Sequence, residues 1–579
     1  MCGIIGITEK NEELVRVAGE TMAHRGPDAF GIFSDERVTL GHNRLSIIDL
    51  DARSNQPMQA GDCTIVFNGE IYNFKELKSQ LQKLGHKFKT ESDTEVLLLA
   101  YKQWGKELTA KVEGMYAFAI YDAAQEKLIL CTDHANMKPI IYARAGKKLL
   151  FASEMRAILA MQGANLEIDR EGLGLYYAFG YIPAPYTLYK SICRLPKRAW
   201  FVYDLNTDIL HKEIYPERPP RKVSENELHK LLEQAVQKHL VADVPVGVFF
   251  SGGTDSSLIV AILKKLGIKL ETFSVKVAGR PEDAKHFEKI SKHLDVKAHA
   301  YNFGVKEFDE LYPEVMQKID EPLYDNSLVP THFIARRARE RVTVVLSGEG
   351  GDEYFGGYAR SLSLARMGQP ALDSSVGFFE QIFFLLPAFR GKNKLFEWIF
   401  ATLRRPAAFY LLTMSPAKSL LTWKEWQAAK RHIVTQVQSS RSLDAGLYLP
   451  GDLMRKLDMA TMYCSLEGRM PLLDAGVISA AQALPWDLVE TKSALKKILA
   501  QYLPADLVYR GKQGFGLLLP ELFEKSKYLR TDLSCAIEYL NAHGMLPRKM
   551  PAQKTLISRY PHFSFALISL YHALRNAEA

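Results

Sequence analysis

Cysteine is scarce in this 579-residue chain and forms no pairing pattern. Cys2, Cys63, Cys131, Cys193, Cys464 and Cys535 are scattered, with no CxxC and no metal-binding spacing. That excludes a disulfide framework and a zinc ribbon, and it fits a reducing compartment, the cytoplasm. No apolar run reaches the length of a membrane-crossing helix. The nearest, VGFFEQIFFLLPAF (376–389), is interrupted by Glu380, Gln381 and Pro387 and reads, with the LFEWIFATLRR that follows, as a pair of buried helices. The opening MCGIIGITEK lacks the basic start and apolar stretch of a secretory signal. Excess charge is slight: 74 Lys and Arg against 66 Asp and Glu give +8, with no long basic run. This suits a small anionic substrate such as a nucleotide and makes no case for nucleic acid. Internal repeats and low-complexity tracts are missing as well.

A hydrophobic content of 47% with 24% charged residues is that of an ordinary globular protein. The length exceeds what one core supports, so several domains are expected. The first two hundred residues contain β-branched and aromatic runs such as CTIVFNGEIYN, GMYAFAIYD and KLILCTD, interrupted by two helices (73–84 and 94–104), an α+β pattern. A polar, proline-containing stretch follows, in which Ser224 and Glu227 fit a capping box. Beyond it, VPVGVFF, LETFSVKV and VTVVLSG alternate with helical segments, which argues for a doubly wound parallel sheet. After about residue 360 the pattern is mostly helical. The expected division is 2–205, a linker at 206–225, and 226–579.

The opening MCGIIGI places a thiol where chains usually fray. With the initiator methionine removed, Cys2 would carry a thiol and an α-amine of reference pKa about 7.7 to 8.0, an activated nucleophile. The plain alternative is an early residue of an edge strand. Behind it stand HRGPD (24–28), RLSIID (44–49), NGEIYN (68–73) and SDTE (92–95). Singly, these read as turns and caps. In this order behind Cys-Gly, the segment resembles the class II glutamine amidotransferases, a branch of the N-terminal-nucleophile hydrolases. The resemblance implies stacked antiparallel sheets between helices, attack by Cys2 on the glutamine amide, and a thioester cleared by water. It implies an oxyanion hole from the Asn68 side-chain amide and the Gly69 N–H. Glutamine's zwitterionic head needs a cation for its carboxylate, for which Arg44 offers a planar fork. Glu70 and Asp93 are the candidates for its ammonium.

FFSGGTDSS (249–257) joins a buried strand to a helix. Gly252 and Gly253 allow close backbone approach, Ser251 and Ser256 supply hydroxyls, and the helix start supplies N–H groups, which together make an anion cradle. It lacks the Walker spacing and looks like the pyrophosphate loop of the ATP pyrophosphatases. Asp255 inside such a cradle reads as a Mg²⁺ ligand. In LSGEGGDEYFGGY (346–358), Asp352 is the second metal candidate and Glu349 the candidate to manage a proton. Ser347 and the Gly348 backbone, with Val275 of TFSV, would flank the nucleotide.

These loops, behind that N-terminal segment, resemble the glutamine-hydrolysing asparagine synthetases over essentially the whole chain. DEPLYDNS (320–327), SLEGRMPLLD (465–474) and RGKQGFG (510–516) support it, and KSALKK places Lys492 where the family has a lysine meeting the activated intermediate. The resemblance implies a ligase that uses glutamine, ATP with Mg²⁺, and an acceptor carboxylate, aspartate first. Ammonia would pass between the sites, with GMYAFAI (114–120) either lining the route or forming an ordinary core strand. A homodimer is compatible with it.

Three departures bear on the acceptor. CTDHANMKPIIY (131–142) puts His134, Ala135 and Asn136 where the family has Arg, Phe and Gly; Met459 stands for a basic residue; and TFSVKV lacks the usual glycine and aromatic. An amidotransferase acting on another carboxylate (peptide, cell-wall, antibiotic or sugar acid) is the alternative. A purely regulatory glutamine-binding protein is disfavoured by Cys2, Arg44, Asn68, Asp93, Asp255, Glu349 and Asp352 together.

Overall fold

The structure is a computed structural model that describes residues 2–578 except 163–165, 270, 368–371, 373–379, 381, 383–392, 418–419, 438, 490, 510–517 and 547–549. RGKQGFG and nearly all of 376–389 lie outside the described residues.

The N-terminal half contains β1 (Gly3–Ile7), β2 (Ala29–Ser34), β3 (Thr39–Arg44), β4 (Met58–Ala60), β5 (Cys63–Ile71), β6 (Gly114–Asp122), β7 (Lys127–Thr132), β8 (Ile141–Ala145), β9 (Lys148–Ala152), β10 (Ile192–Arg194), β11 (Ala199–Asp204) and β12 (Ile209–Ile214). They form two antiparallel six-stranded sheets, ordered β10-β8-β9-β1-β3-β2 and β12-β11-β7-β6-β5-β4. Period-two alternation sorts their side chains. Ile4, Leu40, Leu149 and Phe151 of the first sheet meet Val66, Ala117, Ala119 and Leu130 of the second. The opposite faces pack on helices: Ile5 and Ile7 with Val15 and Ala18, and Phe67 and Phe118 with Leu77 and Val96. Helix, sheet, sheet and helix therefore stack as layers, and β1, buried throughout, is an inner strand rather than an edge.

Residues 209–214, expected in the linker, instead extend the second sheet by pairing with β11. Their mixed polarity hid them: as the outermost strand, β12 is mostly exposed. Helices also occupy Glu12–Thr21, Met155–Gln162 and Arg170–Phe179. The Ser224 capping box forms, with Ser224 Oγ accepting from Glu227 N at 3.2 Å and Glu227 returning a contact at 2.8 Å.

In the C-terminal half β13 (Val246–Phe249), β14 (Glu271–Val277), β15 (Ala298–Phe303), β16 (Val344–Leu346) and β17 (Glu467–Arg469) make a parallel sheet in the order β15-β14-β13-β16-β17. The order reverses between β13 and β16, the crevice where doubly wound sheets bind ligands. Helical segments make up the described remainder beyond β16, apart from β17. No helix among the described residues is long and apolar enough to cross a membrane.

The halves share a core in which Tyr72, Met115, Ala135 and Met137 pack with Leu453, Leu457, Met470 and Leu473. Of Gly114–Ile120, only Met115 reaches this cluster; Ala117 and Ala119 fill the space between sheets, and Phe118 and Ile120 pack under helices. That segment is therefore a core strand.

Candidate functional site

Cys2 immediately precedes β1, so the innermost strand of its sheet fixes its position. The residue is 8% exposed and lines a cleft with Arg44, Gly69, Glu70 and Asp93. Its Sγ lies 3.8 Å from the Leu45 carbonyl, and burial pushes the thiol's pKa up. The resting sulfur is therefore protonated and needs a base to become a nucleophile.

Asn68 and Gly69 sit on β5, one strand away in the facing sheet. Asn68 Oδ1 accepts from Cys2 N at 3.0 Å, while Nδ2 is buried with no hydrogen-bond partner. A buried, unsatisfied amide N–H₂ is costly unless a ligand takes it up. Gly69 has φ +152°, and a Cβ there would stand 2.1 Å from the Met115 carbonyl oxygen. Only glycine lets β5 lie this close to β6 where it lines the cleft.

The acids are placed differently. Asp93 starts the helix Asp93–Trp104, its Oδ2 accepting from Ile71 N at 2.9 Å; burial raises its pKa to about 6. Glu70 is raised as well, first by burial and then by the nearby Glu467. Arg44 departs from a simple clamp. Its Nη1 donates to Asp51 O (2.9 Å) and Asn55 Oδ1 (2.7 Å), and its Nη2 to Asp49 O (2.5 Å). Charge, rather than an unengaged fork, faces the cleft, and a bidentate grip on a carboxylate requires the 48–55 loop to release carbonyl contacts.

The second cluster lies at the β13/β16 crevice, where the fold brings together two loops 90 residues apart. Ser251, Gly252 and Gly253 lead from β13 into the helix Thr254–Lys265; Gly252 has φ +75°, and Ser251 Oγ and Ser256 Oγ are 3.0 Å apart. Ser347, Gly348 and Glu349 leave β16 beside it. The loops interlock: a Cβ on Gly348 would be 2.9 Å from Asp255 Cβ, and one on Gly351 only 2.4 Å from Asp255 Cγ. Val275 lies near the end of β14, paired with Tyr301 on β15.

Lys492, held at φ +59°, places its Nζ 2.5 Å from Asp255 Oδ2 and 2.6 Å from Asp352 Oδ1. The two carboxylates share one ammonium, which is raised in pKa by both. Ser347 Oγ donates to Glu349 at 2.6 Å, and Lys456 Nζ stands 3.5 Å from Glu349 and 3.7 Å from Asp325.

Several participants escaped sequence reasoning. Lys456, Glu467 and Arg469 stand in or near quoted motifs, but their roles depend on distant partners. Arg25 of HRGPD donates to the Cys2 carbonyl (3.1 Å), to Glu154 (2.8 Å) and, through both terminal nitrogens, to Asp458 of the other half (2.8 and 3.2 Å). In the divergent 131–142 segment, Asp133 gathers the N–H groups of Ala135 (2.8 Å) and Met137, and His134 Nε2 meets the Leu473 carbonyl at 2.7 Å. Asn136 has φ +58°, a conformation Asn tolerates better than most residues, which is why it can stand where the family has glycine. Met459 is half-buried against the large core.

A half that presents a cysteine nucleophile candidate beside an unsatisfied amide, joined to a parallel-sheet half with an anion cradle at its switch point, defines a two-site amidotransferase. Residues 1–215 match the glutamine amidotransferase domain family, and residues 227–538 match the asparagine synthase family. Asparagine synthetase [glutamine-hydrolyzing] 1 of Bacillus subtilis (strain 168) is 32% identical, over 89% of this chain and 87% of its own. Putative asparagine synthetase [glutamine-hydrolyzing] 2 of Methanocaldococcus jannaschii is 36% identical, over 63% of this chain and 77% of its own. Among solved structures, the glutamine phosphoribosylpyrophosphate amidotransferase of B. subtilis complexed with ADP and GMP aligns with 17% identity over 52% of this chain and 81% of that one, at a TM-score of 0.30. The chain belongs to the glutamine-hydrolysing asparagine synthetase family, ATP-using carbon–nitrogen ligases that take nitrogen from glutamine.

Proposed function

We propose that the chain converts aspartate to asparagine, with release of AMP and pyrophosphate, using ammonia drawn from glutamine at Cys2. The observation that carries the glutamine half is the divided amide of Asn68, one end holding the Cys2 nitrogen and the other unsatisfied at the cleft. Once Met1 is lost, the amine at that nitrogen serves as the base for the buried thiol. Cys2 Sγ then attacks the amide carbon, and the oxyanion is met by Asn68 Nδ2 and the Gly69 N–H. Glu70 and Asp93 take the substrate ammonium, and Arg44 its carboxylate. Ammonia departs, and water clears the thioester.

In the second half, Ser251, Gly252, Gly253 and Ser256 cradle the phosphates, with Val275, Ser347 and Gly348 beside the nucleoside. Asp255 and Asp352 are hard carboxylate donors whose oxygens both touch one ammonium, so these two residues would hold a small divalent cation such as Mg²⁺. Such a cation would offset the negative charge of the phosphates. Lys492 then stays with the departing charge, and Glu349, oriented by Ser347 and Lys456, manages the proton as ammonia meets the acyl-adenylate. Chain segments 2–214 and 225–579 carry the two activities.

The test is pyrophosphate release with glutamine, Mg²⁺-ATP and a panel of carboxylic acids. Release with aspartate alone supports the reading; release with a different acid alone replaces the acceptor. Cys2→Ala is expected to end the use of glutamine while ammonium still drives synthesis. Simultaneous loss of both would refute this division of labour.

A further inference from the structure

A group of fully buried charged side chains occupies the junction of the two halves. Glu467 and Arg469, two residues apart on β17, project to one face of the strand, and neither is exposed to solvent. Arg469 Nε donates to Glu467 Oε1 at 2.6 Å, and Nη1 donates to the carbonyls of His239 (2.9 Å) and Val241 (2.7 Å). Its Nη2 stands 3.4 Å from Glu70 Oε1 across the domain boundary, and its guanidinium carbon lies 5.7 Å from the Tyr72 ring centre. Glu70 lines the glutamine cleft, and its second oxygen, Oε2, is buried with no hydrogen-bond partner.

The backbone of Arg469 has a second attachment. β17 runs parallel to β16 with Leu346 opposite Arg469, and Ser347 N donates to the Arg469 carbonyl at 2.8 Å. Ser347 opens the loop assigned to the nucleotide. One residue of the ATP half thus supports that loop with its main chain and the other half's glutamine cleft with its side chain.

The environment of Glu70 explains why such a cation is needed. Burial, Glu467 and Asp93 all favour its protonated form, and Arg469 opposes them. A neutral Glu70 would accept an ammonium poorly.

We propose that Arg469 is a positioning residue for the glutamine reaction: its ion pair across the junction favours the carboxylate form of Glu70 and holds it at the cleft, so that the recognition site for the substrate ammonium is complete only when the two halves are docked. This rests on the reading of Glu70 as an ammonium acceptor. The coupling is carried by one ion pair and one strand ladder, with no movement required.

The experiment measures glutaminase kinetics of Arg469→Met and Arg469→Lys between pH 6 and 9, on glutamine and on its deaminated analogue glutaramate. Arg469→Met is expected to raise the glutamine KM about tenfold or more at pH 7, since one unit of pKa shift is a tenfold change in ionisation. The penalty should shrink toward pH 9 as Glu70 ionises without help. At saturation kcat should stay within about threefold, because the interaction lost is to substrate rather than to the reacting atoms. Glutaramate, which lacks the ammonium, should show no such change, and Arg469→Lys should recover part of the KM. Ammonium-driven pyrophosphate release reports that each variant is folded. Should Arg469→Met not fold, Glu467→Gln/Arg469→Met removes the stranded carboxylate and is measured in its place. An unchanged glutamine KM and pH profile in a folded variant overturns the proposal. Glu70→Gln separates the two readings. If it leaves the preference for glutamine over glutaramate intact, Glu70 does not read the ammonium. If it erases the preference while Arg469→Met retains it, only the role of Arg469 falls.

Discussion

Asn68 has a divided side chain: Oδ1 accepts from the Cys2 nitrogen, and Nδ2 is the donor proposed to meet the oxyanion. Truncating it removes the buried donor, so Asn68→Ala is expected to lower glutaminase kcat by about 10²–10³-fold, the usual cost of one oxyanion donor. Single-turnover thioester formation checks this; a loss confined to KM would place Asn68 outside the transition state. Asp93 yields a pH prediction. Burial lifts its pKa from the ordinary aspartate range to about 6, so it takes up a proton as pH falls through about 6. Glutamine kcat/KM should therefore fall below pH 6, and Asp93→Asn should flatten that limb. The stability contribution has the opposite sign: the folded state binds this proton more tightly, so the group stabilises the fold below about pH 4 and loses that contribution as pH rises through 6. These residue types were legible in the motifs NGE and SDTE. The engagement of Arg44 by the 48–55 carbonyls was not, because a planar fork in sequence does not show which acceptors already hold it.

At the scale of elements, two short turns form the proposed nucleotide site. The approach of Gly348 and Gly351 to Asp255 leaves no room for a methyl group. Gly351→Ala should displace the Asp255 carboxylate and cut ATP-dependent pyrophosphate release by at least tenfold, with glutaminase turnover as the internal control; wild-type release would show that the loops are not interlocked. Asn136, by contrast, tests a tolerated irregularity. At φ +58°, Asn136→Gly should keep the backbone unstrained and lose only the Nδ2 hydrogen bond to the Leu195 carbonyl (3.2 Å), about 1 kcal/mol, whereas Asn136→Val should cost about 1–3 kcal/mol more, read as a lowered melting temperature. Strand runs such as VPVGVFF and VTVVLSG announced β13 and β16, since a strand buried on both faces is apolar throughout. The short β17 and the exposed β12 were missed, because three residues set no period and a solvent-facing edge carries no apolar signature.

Across the whole molecule, the halves are joined by arginines reaching in opposite directions. Arg25 extends from the glutamine half to Asp458, and Arg469 from the ATP half to Glu70. Arg25 and Asp458 are 1% and 6% exposed. Breaking such a pair leaves a buried charge that has lost one counter-ion, at a cost of about 3–5 kcal/mol when nothing else compensates. Glu154 still faces Arg25, so Asp458→Asn should fall toward the lower end of that range and shift the denaturation midpoint accordingly. Loss of glutamine-driven synthesis at moderate denaturant, before ammonium-driven synthesis, would locate the failure at the junction; simultaneous loss would place it elsewhere. The junction of the halves is thus built from buried ions and medium-sized apolar groups, with Met115 of Gly114–Ile120 among them.

Order along the chain was enough to reveal the family and to nominate candidate residues, because Cys2, NGE, SGGTDSS and SGEGGD are contiguous words whose residue types follow from the groups they would meet. The partners that set those residues' charge and aim, Arg25 with Asp458, Lys456 with Glu349, and Arg469 with Glu70, emerged only from the packed molecule. Electrostatic pairing acts through space at a few ångströms, and sequence separations of hundreds of residues leave no local trace of it.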